Sequence, residues 1–143
     1  MVIVDTNVVA EVMRTSPAPT VVGWLNAQAS ASLFLTAITV GEIRHGLRIM
    51  PGGQRRQTIE QGFDRIIATA FAGRILAFDE HAAAHYGEVM GRRQELGRPL
   101  SVPDGQIAAL ARLHSFAVAT RNVRDFLDCG IELVNPFKPS APD

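Results

Sequence analysis

Short apolar runs that each break into a polar, helix-starting residue recur along this chain, and no other feature limits its fold as much. Val2-Ile3-Val4 stops at Asp5-Thr6-Asn7, and Leu33-Phe34-Leu35-Thr36 precedes a helical pattern that opens at Thr39. Ile75-Leu76-Ala77 and Phe116-Ala117-Val118-Ala119 repeat the arrangement, and residues 131–134 offer a last strand. Apolar runs without polar alternation read as strands buried on both faces. Between them, apolar residues fall at helical spacing. The expected helices run from Asp5 through Met13, across Val22 and Trp24 to about Ala29, from Thr39 to Met50, and over 54–72, 79–96, 101–114 and 122–127. Strands alternating with helices predict an α/β fold with a mainly parallel central sheet and helices on both faces. In such sheets ligands gather at the carboxyl ends of the strands.

A length of 143 residues fits one domain, expected over residues 1–135, with a loose proline-rich tail over 136–143. The single cysteine, Cys129, excludes an intrachain disulfide and a cysteine-based zinc cluster. No apolar stretch approaches the roughly 20 residues of a membrane span, and the start lacks the basic region of a signal peptide. A cytoplasmic location is therefore expected. The formal net charge is zero, which argues against electrostatic coating of duplex DNA. Thirteen of the fourteen basic residues are arginine, and the one lysine is Lys138. Any mechanism that needs a lysine in the body of the fold is excluded. Neither glycine-rich nucleotide fingerprint is present. His81 and His85 have an i, i+4 spacing, but Ala82 stands where a zinc protease carries its glutamate.

Four carboxylates fall where strands end and helices begin. Asp5 ends the first strand, and Glu42 is expected in the first turn of the helix after the second. Asp104 begins the helix 101–114, and Asp125 follows the strand that ends near Thr120. An all-carboxylate set suits a hard cation, Mg²⁺ or Mn²⁺. Such ions can activate water and stabilise the leaving oxygen in phosphodiester displacement. The same acids also fit helix starts. Thr39-Val40-Gly41-Glu42 and Ser101-Val102-Pro103-Asp104 have capping-box spacing, Asn122-Val123-Arg124-Asp125 resembles it, and Asp5 can cap the first helix. On the residues alone both readings stay open. Arg44, Arg121 and Arg124 lie near the acids in sequence, placed either to meet phosphates or to pair with the carboxylates.

These stretches carry a resemblance. Val2-Ile3-Val4-Asp5-Thr6-Asn7, Thr36 to Gly46 around Glu42, Pro103 to Ala109 around Asp104, and Ala119 to Phe126 around Asp125 resemble, in order, the four motifs of PIN-domain nucleases. The closest subgroup is the VapC-like and FitB-like toxins of bacterial toxin–antitoxin pairs. The resemblance implies a three-layer PIN-like fold and Mg²⁺- or Mn²⁺-dependent RNA hydrolysis leaving 5′-phosphate ends. It implies Asp5, Glu42 and Asp104 as catalytic and metal-holding acids. Family members place a fourth acid at the position of Asn122 or that of Asp125. Here the charge rests with Asp125, leaving Asn122 to ligate through its carbonyl or to position Asp5. Thr6 and Thr120 are implied as residues that orient the carboxylates or the water, and Arg44, Arg121 and Arg124 as RNA contacts. A homodimer and a cognate antitoxin whose tail blocks the groove are implied as partners.

Two rivals are weighed against this. A phosphoacceptor receiver domain needs paired acids at the first strand end and a lysine near the last, and neither is present. A haloacid-type phosphatase needs Asp-x-Asp, where this chain has Asn7. A catalytically silent PIN-type binding module is the remaining alternative, and retention of the core acids argues against it.

Overall fold

The computed structural model describes residues 1–139. Five parallel strands form one sheet: β1 (Val2–Val4), β2 (Leu33–Thr36), β3 (Ile75–Leu76), β4 (Ala117–Ala119) and β5 (Leu133–Val134). Their order is β3-β2-β1-β4-β5. The helices are α1 (Thr6–Val12), α2 (Pro19–Ala27), α3 (Ala37–Ile49), α4 (Gln54–Thr69), α5 (Glu80–Glu95) and α6 (Val102–His114).

The pleat explains the layers. Val2 and Val4 point to one face with Leu33 and Leu35, where they meet Val8 and Val9 of α1, Val21 of α2, Ile43 and Leu47 of α3 and Phe63 of α4. Ile3 and Val118 point to the other, against Ala82 and Val89 of α5 and Ile107, Leu110 and Ala111 of α6. Both faces are covered, as the unbroken apolar strands require. The fold is three-layered α/β, with α1–α4 on one face and α5–α6 on the other.

Strand order places the site. From central β1 the chain winds outward through β2 to β3, then crosses to β4 and β5 on the other side of β1. The winding reverses between β1 and β4, so their carboxyl ends flank the switch point of the sheet. Ile3 pairs with Val118 and Val4 with Ala119, and the Asp5 N–H extends the ladder to the Ala119 carbonyl at 2.9 Å. Asp5 and Thr120 therefore leave the sheet side by side.

Several boundaries differ from expectation. Helix α3 begins at Ala37, because the Thr36 side chain, not that of Thr39, caps it by accepting the Thr39 N–H at 3.1 Å. Glu42 is consequently in the second turn, beyond the reach of a capping box or of the helix dipole. Helix α4 stops at Thr69, where Phe71 turns into the core and Gly73 takes a positive φ of 72°. The expected helix 122–127 is a four-residue 3₁₀ turn, Val123–Phe126, and a further 3₁₀ turn covers Ser30–Ser32. Of the tail expected from residue 136, Pro136 is buried and Phe137 packs on the α1–α4 core, while residues 140–143 lie outside the described part. Among the described residues, no helix is long and apolar enough to cross a membrane.

Candidate active site

Asp5 is the floor of the site. Only 5% exposed, it ends β1 and caps α1, accepting the Thr6 N–H at Oδ1 (2.8 Å). Its Oδ2 accepts the Thr120 hydroxyl at 2.8 Å and the Asn7 amide at 3.1 Å. Burial pushes its carboxyl above the usual aspartate range, opposed by the Thr120 and Thr6 hydrogen bonds and reinforced by the charges of Asp104 and Glu42. Asp104, in the first turn of α6, is also raised: burial acts first, and the charges of Asp125 and Glu42 add to it. The Ser101 hydroxyl and the Arg93 guanidinium pull it down. The four predicted acids thus share one electrostatic neighbourhood, although they come from four separate parts of the chain. Asp125 enters through Asp104, whose carboxyl its charge raises.

Capping accounts for part of this arrangement. Ser101 caps α6 by accepting the Asp104 N–H at 3.3 Å, and Asp5 caps α1. It accounts for neither Glu42 nor Asp125. Asn122 makes no side-chain cap to the 3₁₀ turn.

Glu42 is positioned by hydroxyls. Thr6 Oγ1 donates to Glu42 Oε1 at 2.8 Å and lies 3.0 Å from Thr39 Oγ1, which accepts from Thr36 Oγ1 at 3.4 Å. Each hydroxyl has one proton. The relay therefore runs Thr36 to Thr39 to Thr6 to Glu42, and it joins β2, α3 and α1. Thr6 thus contacts the Glu42 carboxylate and Thr120 that of Asp5. Asn122 acts through its backbone, whose N–H donates to Thr120 Oγ1 at 3.0 Å.

The arginines divide. The Arg44 guanidinium is bound to Asp64 at 2.7 Å and stacked on Phe63, so it turns toward α4 instead of toward the acids. Arg121 sits beside the site, its N–H on Asn7 Oδ1 at 3.1 Å. Arg124 is exposed on the 3₁₀ turn. Three residues of the neighbourhood escaped the sequence reading. Thr39 has cap spacing in the chain, and its hydroxyl faces Thr6 instead. Glu11 is buried on α1, and its i, i+3 spacing to Arg14 was the available sign. Arg93, 5% exposed, lies on the buried stripe of α5 with Ala82 and Val89, and donates to the carbonyls of Asp125 (2.7 Å), Leu127 (2.9 Å) and Arg98 (2.7 Å). It pins the turn that carries Asp125.

The donor set is oxygen only and anionic, with two raised pKa values, and such a set fits a hard divalent cation. Among the described residues no three acids, histidines or cysteines already converge as an ion cage. A groove of about 760 Å³ leads away from Thr6 and Glu42 between α1, α3 and α4, lined by Ile43, Leu47, Met50 and Ile59 among others.

Comparison with known proteins adds to this geometry. Residues 2–130 match the PIN domain family. The chain is 39% identical over 140 residues to the VapC ribonuclease Y4jK of Sinorhizobium fredii, covering 98% of this chain and all of that one. It is 36% identical to the toxin FitB of Neisseria gonorrhoeae, over 96% of this chain and 99% of the relative. Its fold superposes on the structure of FitAB bound to an IR36 DNA fragment with a TM-score of 0.92, at 35% identity and 99% coverage of each chain.

Proposed function

This chain belongs to the PIN-domain family, and we propose that it is a metal-dependent endoribonuclease, the toxin of a toxin–antitoxin pair. The observation that supports the reading is the carboxyl end of β1, where buried Asp5 is held by Thr6, Asn7 and Thr120 and the Thr6 hydroxyl also holds Glu42, in a chain whose residues 2–130 match the PIN domain family. Asp5, Glu42, Asp104 and Asp125 would hold Mg²⁺ or Mn²⁺, which when bound neutralises charge on the phosphodiester and makes the attacking water more acidic. The chain's own residues prepare the site. Thr120 and Asn7 fix the Asp5 carboxylate, the hydroxyl relay fixes Glu42, and Arg93 holds the backbone of Asp125. Attack by water, not by the RNA 2′-hydroxyl, leaves 5′-phosphate and 3′-hydroxyl ends.

The partner reading follows the relatives, whose structures include a FitAB complex. A cognate antitoxin would lay an apolar segment along the groove beside α3 and α4 and point a basic side chain, most simply arginine, at the acids. A homodimer of one-domain subunits completes the proposed assembly. The test is cleavage of cellular RNA by the purified protein. Mg²⁺ or Mn²⁺ should support cleavage, EDTA should stop it, and Asp5→Asn and Asp104→Asn should each abolish it. Products should be degraded by a 5′-monophosphate-dependent exonuclease. Undiminished cleavage by both variants, or 2′,3′-cyclic phosphate ends, would defeat the reading, and binding of RNA without cleavage would favour a silent binding module.

A further inference from the structure

Glu11 is a carboxylate only 4% exposed in a seven-residue helix, and two arginines share it. Arg14 Nη1 donates to both of its oxygens at 3.0 Å, and Arg121 Nη2 lies 4.0 Å from Oε1. A buried carboxylate needs one compensating cation. Every other ion pair among the described residues is one to one: Arg44 with Asp64, Arg56 with Glu60, Arg98 with Asp128 and Arg112 with Glu88. Here one acid organises two guanidinium groups, and a surplus positive charge remains.

That surplus faces outward. The Arg14 side chain is 66% exposed and that of Arg121 58%, so both keep most of their N–H groups in solvent. Their positions are nevertheless fixed. Arg14 is held by its two-oxygen contact with Glu11, and the Arg121 guanidinium carbon sits over Phe137, 3.9 Å from the ring centroid. The pair is also tied to the acid site. The Arg121 N–H donates to Asn7, whose amide donates to Asp5, and Arg14 lines the same groove as Thr6 and Glu42. Glu11 follows Asp5 by six residues, roughly 9 Å of helix. An RNA strand with one phosphodiester at four carboxylates needs cationic groups for its neighbouring phosphates. Planar guanidinium groups with free N–H donors suit that task.

We infer that Arg14 and Arg121, set in place by the buried Glu11, form a two-arginine clamp for a backbone phosphate of the RNA strand next to the one at the carboxylates. This rests on the nuclease reading for the identity of the strand, and it assigns Glu11 as the positioning residue of the clamp.

The test separates the two. Binding of a fluorescein-labelled single-stranded RNA is followed by anisotropy in EDTA between 50 and 200 mM salt, values at which counterion release is readily read. Arg14→Gln and Arg121→Gln should each weaken binding about tenfold and flatten the plot of log affinity against log salt by about 0.7. In Mn²⁺-supported cleavage the loss should fall on KM, with kcat largely kept. Because Arg14→Gln strands a buried carboxylate, the double variant Glu11→Gln/Arg14→Gln serves as the folded control and should lose the same salt slope. Unchanged slopes in Arg121→Gln and in the double variant overturn the clamp. So does a loss confined to kcat, or a weakened affinity for a protein partner with RNA binding intact. A parent that binds RNA with the expected slopes but never cleaves it refutes the nuclease reading and leaves the clamp standing.

Discussion

Replacing Asp104 by asparagine distinguishes a helix-capping acid from a member of a mutually repelling carboxylate set, because the two predict opposite signs. As a first-turn acid of α6, Asp104 favours its helix through the dipole by about 0.3–1 kcal/mol, which the amide forfeits. Against this stand burial and the charges of Asp125 and Glu42, which raise its pKa above 3.8 despite the Ser101 hydroxyl and Arg93. A carboxyl whose pKa rises on folding destabilises the folded state when ionised, by about 1.4 kcal/mol per unit of rise before partial exposure trims it. Asp104→Asn should therefore melt no lower than the parent in EDTA at pH 7. Mn²⁺ at about 100 times its Kd should stabilise the parent by about 2.7 kcal/mol, roughly 5–10 °C in Tm for a domain of this size, and the variant far less. The pH dependence has a fixed sign. Between the unfolded pKa of 3.8 and the raised folded one, the folded parent binds more protons at Asp104 than the unfolded chain does. The parent should gain on the variant as pH falls from neutral through the raised pKa toward 3.8, and lose ground as pH rises again. Calorimetric melts of both proteins, with and without Mn²⁺ at fixed ionic strength, read all three effects. A variant that melts several degrees lower in EDTA, beside a parent indifferent to Mn²⁺, would show that Asp104 serves the α6 dipole and nothing more.

Three further outcomes are expected. Thr36→Val removes the α3 cap and the head of the hydroxyl relay, and should cost about 0.5–2 kcal/mol in urea unfolding; an unchanged midpoint would mean that Thr39 can cap in its place. Arg93→Gln and Asp125→Asn should be non-additive in their effect on Mn²⁺ affinity, read from the electron paramagnetic resonance signal of free Mn²⁺, because Arg93 acts on the site through the Asp125 carbonyl; strict additivity would refute that link. Gly105→Ala should destabilise despite the better helix former, since a Cβ there would meet Met90 Sδ at 2.5 Å and Tyr86 Cε2 at 3.1 Å. Overpacking costs about 1–3 kcal/mol against about 1 kcal/mol of helix propensity, and a rise in Tm would show that Met90 yields freely.

Much of this was legible in the chain. The apolar runs located all five strands to within two residues at either end, because a strand covered on both faces admits almost no polar side chain. Asp5, Asp104 and Ser101 stood out because capping chemistry is local, involving residues no more than three apart. Helix α3 shows the limit. Thr36 and Thr39 are both competent caps, and the sequence pattern favoured Thr39. Its hydroxyl instead faces Thr6, 33 residues away, a contact with no local trace. Arg44 shows the same limit: its ion-pair partner is Asp64 of α4, 20 residues away, not Glu42 two residues before it.

What the sequence determined by itself was periodicity and chemistry. It specified which segments are strands or helices, that the candidate site is anionic and oxygen-only, and that arginine is the main cation of this chain. These are properties of residues and near neighbours. The tertiary structure alone decided adjacency. Only the order β3-β2-β1-β4-β5 sets Asp5 beside Thr120 and brings α3, α6 and the Val123–Phe126 turn to the same edge. Only packing buries Glu11 and Arg93, and so turns two charged side chains from solvated into fixed ones. The reason is range: hydrogen bonding and propensity act over a helical turn, whereas burial and Coulomb forces act across whatever the fold brings near.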